Sequence, residues 1–127
     1  MSKIPAELRY AKTHEWLSLS GDVATVGITD HAQHELTDLV FVELPKVGRV
    51  LKANEACAVV ESVKTASDIY TPVSGTVTEV NPVVADNPAS VNTDPYGVGW
   101  FFRLRLSQKS EVEKLLDAAA YAKIVGV

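Results

Sequence analysis

Lys64 is the only Lys or Arg between Lys52 and Arg103, an interval that also holds Glu55, Glu61, Asp68, Glu79, Asp86 and Asp94. It sits between two apolar, strand-like runs in Val59-Val60-Glu61-Ser62-Val63-Lys64-Thr65-Ala66-Ser67-Asp68-Ile69-Tyr70. An exposed ammonium is almost fully protonated at neutral pH and is a poor nucleophile. Catalytic lysines are usually activated by burial or by a neighbouring cation, whereas this one has carboxylates three residues before it and four after it. Lys64 therefore reads as an attachment point, modified by another enzyme. A solvated strand lysine is the alternative, since a lone lysine is a weak motif.

Other groups that could do chemistry are few. Cys57, the only cysteine, lies in Ala56-Cys57-Ala58-Val59-Val60. Reactive thiolates need an electropositive, partly exposed setting, so a buried structural thiol is expected there, and a lone cysteine forms no internal disulfide. His31 and His34 fall three apart and could share a helical face, which suggests a metal site. The segment supplies no third ligand and His14 is distant in sequence, so two solvated histidines are expected instead. A small hydrolase would have to pair Cys57 with one of these histidines.

The 127 residues suit one domain, 1–127, large enough to bury a real core, and a 46% hydrophobic content fits a soluble globular chain. A net charge of -4 argues against nucleic acid, whose binders draw most of their affinity from basic patches. No apolar run approaches the roughly 20 residues of a bilayer-spanning helix, so no membrane partner is implied. Met1-Ser2-Lys3-Ile4-Pro5 opens no signal peptide. The expected location is the bacterial cytoplasm, or the mitochondrial matrix where a transit peptide has been removed.

Lys64 needs elements to hold it. Residues 56–63 read as a long strand leading to it, and 69–73 as the strand returning. No glycine or asparagine stands at the turn between them, so local turn rules alone place no hairpin tip there. Upstream, 15–19, a turn at Ser20-Gly21-Asp22, and 23–28 read as a hairpin with Ala24, Val26 and Ile28 on one face. Thr29 or Asp30 caps a short helix through about Leu36, Asp30 and Gln33 having capping-box spacing. Residues 39–44 form a nearly continuous apolar run expected to be buried on both faces and stopped by Pro45.

Gly48-Arg49-Val50 leads towards Lys64 and Gly75-Thr76-Val77 leaves it. This echo suggests a pseudo-twofold sandwich, though Gly-x-Val also recurs by coincidence in a valine-rich chain. Residues 81–99, rich in Pro, Asn, Asp and Gly, read as an extended surface loop. From Trp100 to Leu106 the pattern alternates, with Trp100, Phe102, Leu104 and Leu106 facing inwards. Ser110 to Glu113 has capping-box spacing for a C-terminal helix with Val112, Leu115, Leu116 and Ala119 on a core-packing stripe, and Asp117 caps a further turn through Ile124.

Glu61-Ser62-Val63-Lys64, then Ser67-Asp68-Ile69-Tyr70 and Pro72-Val73-Ser74-Gly75, resembles the lipoyl-attachment segment of the glycine cleavage system H protein family. Thr13-His14-Glu15-Trp16, Gly27-Ile28-Thr29-Asp30-His31-Ala32-Gln33, Phe41-Val42-Glu43-Leu44-Pro45 and Asp94-Pro95-Tyr96-Gly97-Val98-Gly99-Trp100 match in order, so the resemblance covers nearly the whole chain. Biotin carriers typically flank the lysine with methionines, and 2-oxoacid dehydrogenase lipoyl domains place an aspartate before it. Here the neighbours are Val63 and Thr65. Those relatives are also shorter, without the Trp100 strand and the C-terminal tail. Asn54 stands where the family usually has glycine, and asparagine tolerates the left-handed conformation that turn requires.

The resemblance implies a mainly β barrel-sandwich hybrid: a flattened antiparallel sandwich with a pseudo-twofold lipoyl-type motif, short helices and a C-terminal helical segment. It implies a carrier without catalysis of its own, bearing lipoic acid amide-linked to Lys64 on a tether of roughly 12 to 14 Å, about ten bonds near 1.5 Å. It implies service to a pyridoxal-phosphate glycine decarboxylase, a folate-dependent aminomethyltransferase and a dihydrolipoyl dehydrogenase, and modification by a lipoate ligase or lipoyl transferase. Glu61 and Gly75 match the positions that the lipoylating enzyme recognises. Glu15 and Asp68 match those that steady the aminomethyl-loaded arm, where solvated acids, or for Asp68 a turn role, are the alternatives. A monomer is expected. Readings from other classes are a biotin carrier, which a biotin ligase would label, and a non-lipoylated interaction module that works without Lys64.

Overall fold

The structure, a computed structural model, describes residues 3–126. The described residues form strands β1 (Arg9–Tyr10), β2 (Glu15–Ser20), β3 (Val23–Ile28), β4 (Leu39–Glu43), β5 (Val50–Leu51), β6 (Ala56–Ser62), β7 (Ala66–Tyr70), β8 (Gly75–Val80) and β9 (Phe102–Leu106). Short helices intervene: α1 (Asp30–Leu36), α2 (Pro82–Asp86), α3 (Ala89–Thr93), α4 (Ser110–Glu113) and α5 (Ala118–Val125). Two antiparallel sheets result, one of six strands in the order β1-β2-β3-β9-β8-β5 and one of three in the order β4-β6-β7. The expected mainly β sandwich with short helices and a C-terminal helix is what the chain builds.

Alternation puts one side of each strand inside. On β3, Ala24, Val26 and Ile28 are buried, and on β9 so are Phe102 and Leu104. They meet Val60 of β6 and Ile69 of β7 in a core that also takes Leu39, Val42, Val73 and Val77. The β2–β3 hairpin turns on Gly21, whose φ of 61° is open to glycine without a Cβ clash. Thr29 caps α1, its side chain accepting from the Ala32 N–H at 3.2 Å, while Gln33 Nε2 donates to Asp30 Oδ1 at 2.7 Å. Asn54 adopts φ 71°, the left-handed turn expected of it.

The two Gly-x-Val segments are hydrogen-bonded to one another. Gly48 N donates to Val77 O at 2.7 Å, Val77 N donates to Arg49 O at 2.9 Å, and Val50 pairs with Thr76. Antiparallel pairing of two like segments is a local two-fold arrangement, which is the sense of the sequence echo.

Several expectations are corrected. Residues 39–44 are not buried on both faces: Val40 is 56% exposed and Phe41 46%, because one face of β4 is open to solvent and its register shifts between Leu39 and Phe41. The return strand β7 begins at Ala66, not at 69, and ends at Tyr70. Residues 81–99 are not one extended loop. Asn81 caps α2, its side chain accepting from Val83 N at 3.1 Å, and Pro82 sits at the first helical position, where its missing N–H costs nothing. Val84 and Val91 then bury completely. Trp100 precedes β9, is only half-buried, and lies under the Arg103 guanidinium at 4.1 Å, whereas Phe101 takes a core place. Ser110 does not cap α4, which starts without a side-chain cap; Glu111 instead accepts from Ser74 N at 2.7 Å. Asp117 does cap α5, accepting from Ala120 N at 2.8 Å.

One residue departs from ordinary backbone geometry in a telling place. Thr37, which ends α1, has φ 66° and ψ −152°, a region that is essentially glycine-only. It is held there because its N–H donates to Gln33 O at 3.0 Å and its carbonyl accepts from Asn92 Nδ2 at 2.8 Å. Relief of about 1–3 kcal/mol of strain outweighs the roughly 0.4–1 kcal/mol by which glycine loosens the unfolded chain. Thr37→Gly is therefore expected to raise the thermal midpoint by a few degrees in circular dichroism melts; an unchanged or lower midpoint would contradict this.

Candidate functional site

Lys64 stands at the tip of the β6–β7 hairpin. Glu61 pairs with Ala66, leaving residues 62–65 as the loop. The turn that lacks glycine is made by Ser62: its N–H donates to Thr65 O at 2.7 Å, and its Oγ accepts from Lys64 N at 3.1 Å and Thr65 N at 3.0 Å. A serine hydroxyl that satisfies two turn amides does the work expected of glycine or asparagine. Val63 N donates to Asp38 O at 3.0 Å, tying the tip to the segment after α1. The Lys64 side chain is exposed, with Nζ 3.4 Å from the Glu35 carbonyl oxygen.

Beside it, between α1 and β7, runs a groove of about 250 Å³. Its apolar wall includes Ile28, Leu36 and Ile69; its polar wall includes His14, His31, Glu35 and Asp68. Asp68 is exposed in mid-strand, facing Val59, so a turn role for it is overturned. Sequence spacing hid two of these residues. His14, with φ 76°, comes against His31 at 4.7 Å between ring centroids, and its Nδ1 lies 2.7 Å from Tyr121 Oη, which lies 2.7 Å from Thr29 Oγ1. Burial, and then His31, pulls His14 below the usual imidazole range. His31 and His34 part company: His31 Nε2 is 3.6 Å from Glu35 Oε1, and His34 Nε2 is 3.5 Å from Asp30 Oδ1. Among the described residues no group of three or more His, Cys, Asp or Glu could hold a metal ion.

Glu15 lies elsewhere. It is 1% exposed and absent from the groove lining; one oxygen accepts from Thr13 Oγ1 and the other from Tyr70 N at 3.2 Å. Burial pushes its carboxyl up to about 7, against the lowering effect of those hydrogen bonds. Glu61 is exposed on β6, opposite Phe41 of β4. Gly75 is buried in β8, where a Cβ would stand 2.2 Å from the Arg105 carbonyl oxygen, so sterics alone demand glycine. Cys57 is buried; its Sγ donates to the Ile69 carbonyl at 3.5 Å, not to a histidine, and burial pushes the thiol up to about 12. That leaves the hydrolase idea without its nucleophile.

A two-sheet antiparallel sandwich that projects a lysine from a hairpin tip beside a groove has the build of a carrier domain. The chain belongs, more narrowly, to the glycine cleavage H-protein family, whose model matches residues 8–126. It is similar to the glycine cleavage system H protein of Halorhodospira halophila, 56% identical over 126 residues that cover 98% of this chain and 97% of the relative. It is likewise 55% identical to that of Escherichia coli O7:K1, with 98% of each covered. The crystal structure of a glycine cleavage system H protein from Mycobacterium marinum matches with a TM-score of 0.91 at 43% identity, covering 98% of this chain and all of that one. It is a family of carriers.

Two predictions come from the buried groups. A carboxyl raised from 4.5 to about 7 by folding contributes stability that is full below about 4.5 and is lost as pH rises through about 7. By linkage that amounts to roughly 3 kcal/mol. In Glu15→Gln this component vanishes, so urea unfolding at pH 5 and pH 8 should show the wild type losing more stability across that interval than the variant. Gly75→Ala should cost about 1–3 kcal/mol in the same assay through overpacking, and Glu61→Gln almost nothing.

Proposed function

We propose that this chain is the lipoyl-bearing carrier of a glycine cleavage system, with lipoic acid amide-linked to Lys64. The observation that carries this reading is the lone lysine, held in solvent by the Ser62 turn with its Nζ at the mouth of the groove between α1 and β7. The groove fits a flexible hydrocarbon arm in kind: Ile28, Leu36 and Ile69 offer apolar contact and Glu35 and Asp68 offer charge. Attached to Lys64, lipoic acid would supply a disulfide whose sulfur can carry an aminomethyl group, and Ile28, Leu36 and Ile69 would hold its chain. The chain's own residues would bind and orient that arm, which is the work of a carrier and not of an enzyme.

Asp68 lines the groove together with Glu35, and in this reading it meets an ammonium there by charge-assisted hydrogen bonds. Glu15 acts from behind, positioning Thr13 and the Tyr70 N–H. Glu61, exposed beside the tip, suits direct reading by a lipoate ligase or lipoyl transferase; Gly75 serves by keeping β8 close to β9. The partners served in turn are the pyridoxal-phosphate glycine decarboxylase, the aminomethyltransferase and the dihydrolipoyl dehydrogenase.

Peptide mass spectrometry of the chain co-expressed with a lipoylating enzyme and lipoate tests this. A lipoyl adduct confined to Lys64, absent in Lys64→Arg with unchanged circular dichroism, is the expected result. An unmodified Lys64 under those conditions would leave an interaction module without the carrier chemistry.

A further inference from the structure

The outer face of the β4-β6-β7 sheet carries apolar side chains where a free-standing sheet edge would be polar. Phe41, Glu61 and Ala66 lie side by side in register and all three are exposed. Direct partners in an antiparallel sheet share a face, so this row lies on the solvent side immediately below the hairpin loop. Val63, next to Lys64, is 71% exposed, and Val40 in the irregular stretch of β4 is 56% exposed. The Val63 N–H bond to Asp38 O holds the tip against the start of that strand. Other large exposed apolar residues, such as Leu19, Val50 and Ile124, lie on β2, β5 and α5. Around the apolar cluster stand exposed Glu35, Asp38, Glu43 and Glu61.

We infer that Val40, Phe41 and Val63 form the docking surface for the adenylate-forming ligase that acylates Lys64. This rests on the carrier reading above. The argument is one of distance. Enzymes that work on the sulfur end of the arm meet it roughly 12 to 14 Å from Nζ, about ten bonds out. The modifying enzyme has no arm to reach along and must bring its acyl donor within bonding distance of Nζ. It therefore covers whatever surrounds the lysine, and that is this patch.

Charge fits as well. In the step itself the amine, having given up a proton to a base, forms the amide bond as the acyl–phosphate bond of the acyl adenylate breaks and AMP leaves. An active site that holds this anionic donor is cationic at its mouth, and the acidic rim of the patch complements it. Apolar centre and charged rim divide the labour between affinity and approach.

Steady-state lipoylation of the unmodified chain by a purified lipoate ligase, with lipoate and ATP and read by intact mass, tests the inference. Phe41→Ser with Val63→Ser should lower kcat/KM at least tenfold, mainly through KM, and rising salt should raise KM for the wild type. Leu19→Ser with Ile124→Ser, comparable to Phe41 in exposure and remote in the chain, should leave kcat/KM within twofold. All four positions are on the surface, and matching thermal melts check that the variants fold. Unchanged kcat/KM in the Phe41/Val63 variant overturns the docking surface while leaving the carrier reading intact. So does wild-type self-association in sedimentation that this variant abolishes, since the patch would then cover a second copy. A wild-type chain that is never acylated at Lys64 removes the carrier reading itself.

Discussion

The free edge of β7 sets the shape of everything around Lys64. It is the outer strand of its sheet, and its Tyr70 N–H would be left without a partner in a nearly closed interior. Glu15 at the start of β2 supplies the acceptor and so bridges one sheet to the other. The cost is a buried carboxyl whose proton affinity rises to about 7. What this arrangement leaves is a strand that neither pairs with β2 nor lies flat on α1. The groove occupies the space between, and the hairpin tip overhangs it.

Local rules made part of this legible in the sequence. The β2–β3 hairpin, the Thr29 cap and the Asn54 turn follow from residue type at short range, because each is satisfied within a few residues. Lys64 was visible as a charge anomaly, yet its turn was not, because Ser62 closes it with a hydroxyl and Asp38 steadies it from far along the chain. The run at Leu39 misled because hydrophobicity there serves two faces for different reasons: Leu39 and Val42 face the core while Val40 and Phe41 face water. Residues 81–99 misled because turn-forming residues also make helix caps, and Asn81-Pro82 does so here. His14 could not be placed beside His31, nor Glu35 beside Lys64, since tertiary contact alone joins them.

Two of the residues matched to family positions turn out to have demanding structural duties of their own. Gly75 is fixed by its approach to the Arg105 carbonyl, and Glu15 by the β7 edge. Their effect on any carrier function is thus exerted through the shape of the scaffold. Lys64, Asp68 and Glu61 have no comparable packing role, being exposed. Surface residues with no structural employment are where a chemical assignment adds most.

On the proposed reading, acylation would change more than the length of the Lys64 side chain. As an ammonium, Nζ belongs in water and reaches only the Glu35 carbonyl at the rim, because carrying the charge past Ile28, Leu36 and Ile69 would be expensive. As an amide it would lose that charge. Each methylene of an arm entering the groove would then contribute up to about 0.8 kcal/mol. A neutral arm held by a few such methylenes would be bound by about a few kcal/mol, enough to spend time out of water and still leave for a partner's active site. Deeper burial would favour storage and defeat delivery. An open groove flanked by a braced hairpin would meet both needs, the bracing coming from Ser62 and Asp38 and the openness from the edge that Glu15 holds in place.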